Sequence, residues 1–151
     1  MIRDLSLLCA AFAVVASLPA ATAAAKAKPG RYVVDAKGET VLDNATKLTW
    51  QRVVPGQTYT WQGAKDYCKS LPLAGGGWKL PSVRQLRSIV DRAQKSAPTI
   101  DPTAFPNTPS EYFWTAVAYQ GGSSIAWFVY FYNGYSSSHG VANNYRVRCV
   151  R

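Results

Sequence analysis

The chain has 151 residues, 48% of them hydrophobic, and 17 Lys and Arg against 8 Asp and Glu give it a net charge of +9. That length allows one domain with its own core, and the charge invites anionic partners: acidic polysaccharide, sulfated glycan, phospholipid headgroups or lipopolysaccharide. The same charge can equally serve solubility alone, because the chain has no dense Lys/Arg block. Nucleic acid is disfavoured by the exported compartment that the N-terminal segment implies, and no zinc-finger, helix-turn-helix or RNA-binding signature is present.

Residues 1–25 read as a secretory signal peptide. Arg3 precedes an apolar run from Leu5 to Leu18, and the small residues Ala20 to Ala25 follow, with cleavage expected near Ala23 or Ala25. The run is too short to span a bilayer and no second one follows, so no integral membrane span is expected. A lipidated form would need Cys9, which lies before most of the apolar run, so simple export is preferred. The leader carries Arg3 and Asp4, so its removal leaves the charge unchanged. The protein is expected in the periplasm or outside the cell, as a single domain over residues 26–151.

Arg31 to Asp35 reads as a strand, Lys37-Gly38 as a turn, and Thr40-Val41-Leu42 as a short returning strand. Asp43-Asn44 turns the chain again before a strand at Leu48 to Gln51, and Pro55-Gly56 breaks the pattern. Thr60 suits a helix N-cap. Ala64, Tyr67, Cys68 and Leu71 then recur at helical spacing, and Leu71-Pro72 ends the helix. Gly75-Gly76-Gly77 reads as a plain turn, because a phosphate cradle would need a following Lys-Ser/Thr. Ser82 and Gln85 form a capping-box pair that opens a second helix. Its apolar stripe is Val83, Leu86, Ile89 and Val90, with Arg84, Arg87 and Asp91 on the opposite face.

Lys95 to Pro109 is turn-rich and long for a loop in a small domain. It is either functional or packed by its own residues, such as Ile100 and Phe105. Phe113 to Tyr119 is a strand candidate. Ile125 to Tyr132 is an unbroken apolar and aromatic run, as expected of a central strand covered on both faces. Asn133-Gly134 is the strongest hairpin signal in the chain. From Tyr145 to Val150 the pattern alternates, with Tyr145, Val147 and Cys149 on one face and Arg146 and Arg148 on the other.

Export leaves Cys68 and Cys149 as two thiols in an oxidising compartment. If they pair, the bond ties an early helix to the end of the chain. Loop closure of that length is worth about 4–5 kcal/mol in the chain-entropy model.

Several segments resemble one bacterial family. They are Thr40 to Gln51, Ala64-x-x-Tyr67-Cys68-x-x-Leu71, Gly77 to Ser82, Ile100-Asp101 with Phe105 to Pro109, Ala126 to Gly134, and Val147 to Arg151. In this order they are similar to the Lcl C-terminal-like (DUF1566) domain family, named after a collagen-like adhesin. The resemblance implies an α+β, C-type-lectin-like fold: two helices flanking a small, twisted, mostly antiparallel sheet. It also implies one disulfide, between the first helix and the last strand, and Cys68 and Cys149 occupy those places. The adhesin is associated with sulfated glycosaminoglycans. This chain lacks the collagen-like repeats and with them the trimerising stalk.

The candidate sites are weighed on their chemistry. Calcium-dependent lectins resemble one another in Glu-Pro-Asn or Gln-Pro-Asp and Trp-Asn-Asp segments, and none of these occurs here. After Asp101 the remaining side-chain carboxylate is Glu111, so neither a metal nor another cofactor is expected. His139 stands alone in a Ser-rich loop, with no nucleophile and orienting group to make a triad. The related formylglycine-generating enzymes use a reactive cysteine pair, whereas both cysteines here are assigned to a bridge, so the protein is read as not an enzyme.

Arg84 and Arg87 share a helix face, extended by Arg92, and their forks suit sulfate, phosphate or carboxylate. Ion pairing with Asp91, Asp101 or Glu111 is the alternative use of such arginines, and for Arg148 a structural role is preferred. Tyr119, Tyr132 and Tyr135 border the polar segments Gln120 to Ser124 and Tyr135 to Asn144, the candidate ligand loops. The sequence therefore points to an exported, metal-free binding module that recognises an anionic polysaccharide or glycosaminoglycan-like ligand through Arg84, Arg87, Tyr119, Tyr132 and Tyr135. The alternative is a structural or assembly protein of the cell envelope that binds a protein partner.

Overall fold

The computed structural model describes residues 29–120 and 124–151. The expected signal peptide over 1–25 lies outside the described residues, as do Gly121, Gly122 and Ser123 of the first candidate loop. The first apolar runs form β1 (Tyr32–Val34), β2 (Thr40–Asp43) and β3 (Leu48–Gln51), an antiparallel sheet in that order. Period-two alternation sets its faces. The partners Val41 and Trp50 are fully buried, while the partners Val33 and Leu42 face outward.

Helix α1 (Trp61–Ser70) starts at Thr60, whose hydroxyl accepts the Gly63 N–H at 3.2 Å, and it ends at Leu71, before Pro72. Helix α2 (Val83–Ser88) opens on a reciprocal capping box. The Gln85 N–H donates to the Ser82 hydroxyl at 3.2 Å, and the Ser82 N–H donates to Gln85 Oε1 at 2.9 Å. The apolar stripe continues past this helix, burying Ile89 after the helical backbone has ended.

The second sheet is antiparallel β4 (Tyr112–Ala118), β5 (Ile125–Tyr130) and β6 (Tyr135–Gly140), with β5 in the middle. It separates two cores. Phe113 and Val129 join Val41, Trp50, Leu86, Ile89, Ile100 and Phe105 on one side. Trp114, Ala126 and Phe128 join Ala64, Cys68, Trp78, Leu80, Val147 and Cys149 on the other. Apolar cover on both faces explains why β5 lacks polar alternation. The long segment before β4 is packed by its own residues, with Ile100, Ala104, Phe105 and Thr108 buried.

The expected α+β, C-type-lectin-like arrangement, with two helices flanking one small sheet, is overturned. The chain is mostly β, built on two separate three-stranded antiparallel sheets. Its one helix of any length has 10 residues, and α2 has only 6. The physical reason lies in the terminal segment, which was expected as a regular strand of a single sheet. It leaves one sheet for the other instead. Arg146 bonds to Tyr112 and Trp114 of β4, whereas Cys149 and Arg151 bond to Gln51 and Thr49 of β3. Val150 pairs with Lys79 on its other side. The expected alternation holds, but both faces are buried: Val147 and Cys149 enter the second core, and Val150 enters the first. The Cys68–Cys149 disulfide, with Cα atoms 5.4 Å apart, fastens α1 to this segment. The stretch from Tyr135, expected as a loop, is strand β6 as far as Gly140.

Candidate functional site

The turn after β5 positions a cavity at the surface. Gly134 closes it, with φ of 74°, and its N–H donates to the Tyr130 carbonyl at 2.8 Å. A Cβ at Gly134 would lie 2.5 Å from Val90 Cγ1, so only a bare backbone fits against the residue beyond α2. Thr99 fixes the neighbouring loop, since its N–H and hydroxyl both donate to the Phe131 carbonyl, at 2.7 and 2.9 Å. Arg92 Nη2 reaches the Gly134 carbonyl at 3.4 Å.

These contacts form a cavity of about 400 Å³ lined by Arg92, Gln94, Lys95, Ser96, Ala97, Thr99, Tyr132 and Asn133. Asp91 is spent locally, accepting the Ala93 N–H and the Gln94 side-chain amide. Among the described residues neither Arg92 nor Lys95 forms a salt bridge. The cavity therefore presents two uncompensated cations beside Tyr132, which is 57% exposed.

The Tyr132 ring stacks on Tyr130, with centroids 5.5 Å apart. Beyond Tyr130 lies a second cavity of about 260 Å³ lined by Ser110, Glu111, Tyr112, Tyr130, Asn144 and Tyr145. The Tyr112 ring meets Tyr130 at 4.4 Å and Tyr145 at 5.1 Å. Glu111 accepts two bonds from Arg146, from Nε at 2.8 Å and Nη2 at 3.0 Å. That hydrogen bonding holds the Glu111 carboxyl below the usual carboxylate range, against a small opposing effect of burial. Arg146 is fixed in turn by the Gly56 carbonyl at 2.6 Å. His139 Nδ1 hydrogen-bonds the Tyr145 hydroxyl behind this wall. In a third hollow, of about 140 Å³ beside Arg31 and Asp101, the one cation among the described lining residues is Arg31, which is bound to Asp43.

Of the residues singled out in the sequence, Tyr132 and Arg92 line the first cavity. Arg84 and Arg87 are exposed on α2 but line none of these cavities and form no salt bridge among the described residues. Tyr119 is exposed near the end of β4, its ring 5.8 Å from that of Trp127. Tyr135 is exposed at the start of β6. Lys95, Tyr112 and Tyr145 were missed as lining residues, whereas Asn144 closes the second candidate loop and lines the second cavity. The signal for Lys95 was the long turn-rich segment that it opens. Among the described residues no three His, Cys, Asp or Glu side chains gather as a metal site, and no helix is long and apolar enough to cross a membrane.

The fold and its cavities define a small β domain, fastened by a disulfide, with cationic and aromatic surface hollows. The chain belongs to the Lcl C-terminal domain family, whose family model matches residues 39–151. That span includes both cysteines of the disulfide and the whole lining of the two cavities flanking Tyr130 and Tyr132. No curated protein matches the chain.

Proposed function

We propose that this protein is an exported, non-enzymatic binding module that recognises an anionic glycan or cell-surface polymer, without metal, at the cavity of Arg92, Lys95 and Tyr132. One observation carries the reading: two cations that form no salt bridge among the described residues flank an exposed tyrosine in a hollow of about 400 Å³. An arginine fork and a lysine charge suit sulfate, phosphate or carboxylate, and a tyrosine face suits the apolar side of a sugar ring. Export rests on the leader pattern and agrees with the disulfide.

The test is calorimetric titration with a heparin-like oligosaccharide and with lipopolysaccharide, at low and high salt, with and without chelator. Binding should weaken steeply with salt, ignore chelator, and fall about tenfold or more in Arg92→Ala/Lys95→Ala. Salt-independent binding, or binding indifferent to the double substitution, would sink the reading. A second reading, an envelope assembly protein, draws on the outward pair Val33 and Leu42 and on exposed Val117 and Tyr119. Copurification of one protein partner, with no glycan affinity, would favour it.

A further inference from the structure

We infer that the cavity of Tyr112, Tyr130, Glu111 and Asn144 is a second subsite, which holds one uncharged hexopyranose ring of the same glycan. This rests on the reading above, since the two cavities are joined by the stacked Tyr130–Tyr132 pair. The volume, about 260 Å³, falls just below the roughly 300–1,000 Å³ of pockets for drug-sized ligands, so a single ring is the fitting guest.

The lining is chemically unlike that of the first cavity. Its walls are phenol rings, which match the C–H face of a pyranose. Its polar groups are a carboxylate and an amide that can share hydrogen bonds with adjacent hydroxyls. Glu111 is pre-oriented by two bonds from Arg146, so little ordering cost remains on binding. The Asn144 side chain is exposed in the lining of this cavity.

Charge decides which ring sits here. Glu111 and Arg146 cancel each other, so the cleft has no net attraction for a sulfate or uronate, whereas Arg92 and Lys95 do. The bound glycan then carries its acidic group on one unit and presents an unsubstituted ring next to it.

Saturation-transfer NMR on the full domain tests this, using methyl glucoside, methyl galactoside and methyl mannoside, with a sulfated disaccharide as the charged probe. At least one neutral glycoside should receive transfer equally at low and high salt. That transfer should fall about fivefold in Asn144→Ala, an exposed change that spares the fold, and also in Glu111→Gln. It should persist in Arg92→Ala/Lys95→Ala. No transfer to any neutral glycoside, or transfer unchanged in both cleft variants, overturns the subsite even if the sulfated disaccharide binds. Transfer to a neutral glycoside with no binding of the sulfated disaccharide overturns the charged-site reading and leaves the cleft standing as a neutral-sugar site.

Discussion

Arg148 donates from Nη1 to the main-chain oxygen of Gln51 at 2.8 Å, across 97 positions of sequence. The same nitrogen reaches the Arg52 carbonyl at 2.7 Å, and Nη2 reaches the Thr108 hydroxyl at 2.7 Å. The side chain is fully buried, its guanidinium lies 4.7 Å from the Phe105 ring centre, and no carboxylate pairs with it among the described residues. Burial pulls its pKa down to about 9, which still leaves it cationic at neutral pH. Carbonyl dipoles and an aromatic face take the place of a counter-ion, and they join the terminal segment to β3 and to the loop before β4.

Arg148→Met should therefore destabilise the domain by about 3 kcal/mol, because two carbonyls and a hydroxyl lose a buried donor. Arg148→Lys should recover little of this, since one ammonium cannot reproduce the planar fork. Urea unfolding of both variants checks the expectation. An unchanged midpoint would show that these acceptors find other partners.

Reducing the Cys68–Cys149 bond should remove up to about 4–5 kcal/mol, the loop-closure value for its long loop. Thermal melts with and without reductant, alongside Cys68→Ala/Cys149→Ala, give the comparison. Hydrogen exchange should rise first in Tyr145–Arg151, the segment the bond holds.

Asp43 contributes to the acid limit. Burial raises its pKa, but the Arg31 hydrogen bond, the Ala45 N–H and the Thr46 hydroxyl outweigh burial and leave it lowered. A carboxyl with a lower pKa in the folded state gives stability that is complete above its unfolded value, about 3.9. That stability is lost as pH falls through the folded value. Asp43→Asn should cost about 2 kcal/mol at neutral pH and flatten the acid limb of the melting curve. A parallel acid limb in both proteins would contradict this assignment.

Gly134→Ala combines a φ of 74° with a clash against Val90, so a loss of about 2–3 kcal/mol is expected. Because the same turn carries Tyr132 into the cavity, affinity for the heparin-like probe should fall as well. Tyr132→Ala separates the two effects. It should weaken that binding about fivefold to tenfold, with stability unchanged within about 0.5 kcal/mol.

Much of the local structure was legible in the chain. Thr60 and the Ser82/Gln85 pair cap helices as their hydrogen-bonding groups require. Asn133-Gly134 turns between β5 and β6, and the apolar run of β5 marks a strand with two covered faces. Cys68 and Cys149 had each other as partner. The candidate site was less legible. Spacing along α2 grouped Arg84 and Arg87 with Arg92, but of these only Arg92 meets an exposed aromatic, and its companion there is Lys95. Their proximity to Tyr132 comes from Gly134 packing on Val90, a contact between distant segments that no local pattern records.

The sequence by itself determined strands β1 to β5, the helix N-caps, the alternation of the last segment and the residues able to bridge. Those depend on side-chain period, capping chemistry and oxidation, all of which act between near neighbours or between obligate partners. The tertiary structure alone decided that the strands divide into two sheets, that Arg148 is buried with main-chain carbonyls as its acceptors, and that Tyr130 and Tyr132 stand between a charged and a neutral hollow. Strand pairing and the sharing of carbonyls are settled by competition among long-range contacts, and the terminal segment resolves that competition by bonding to β4 at one end and to β3 at the other.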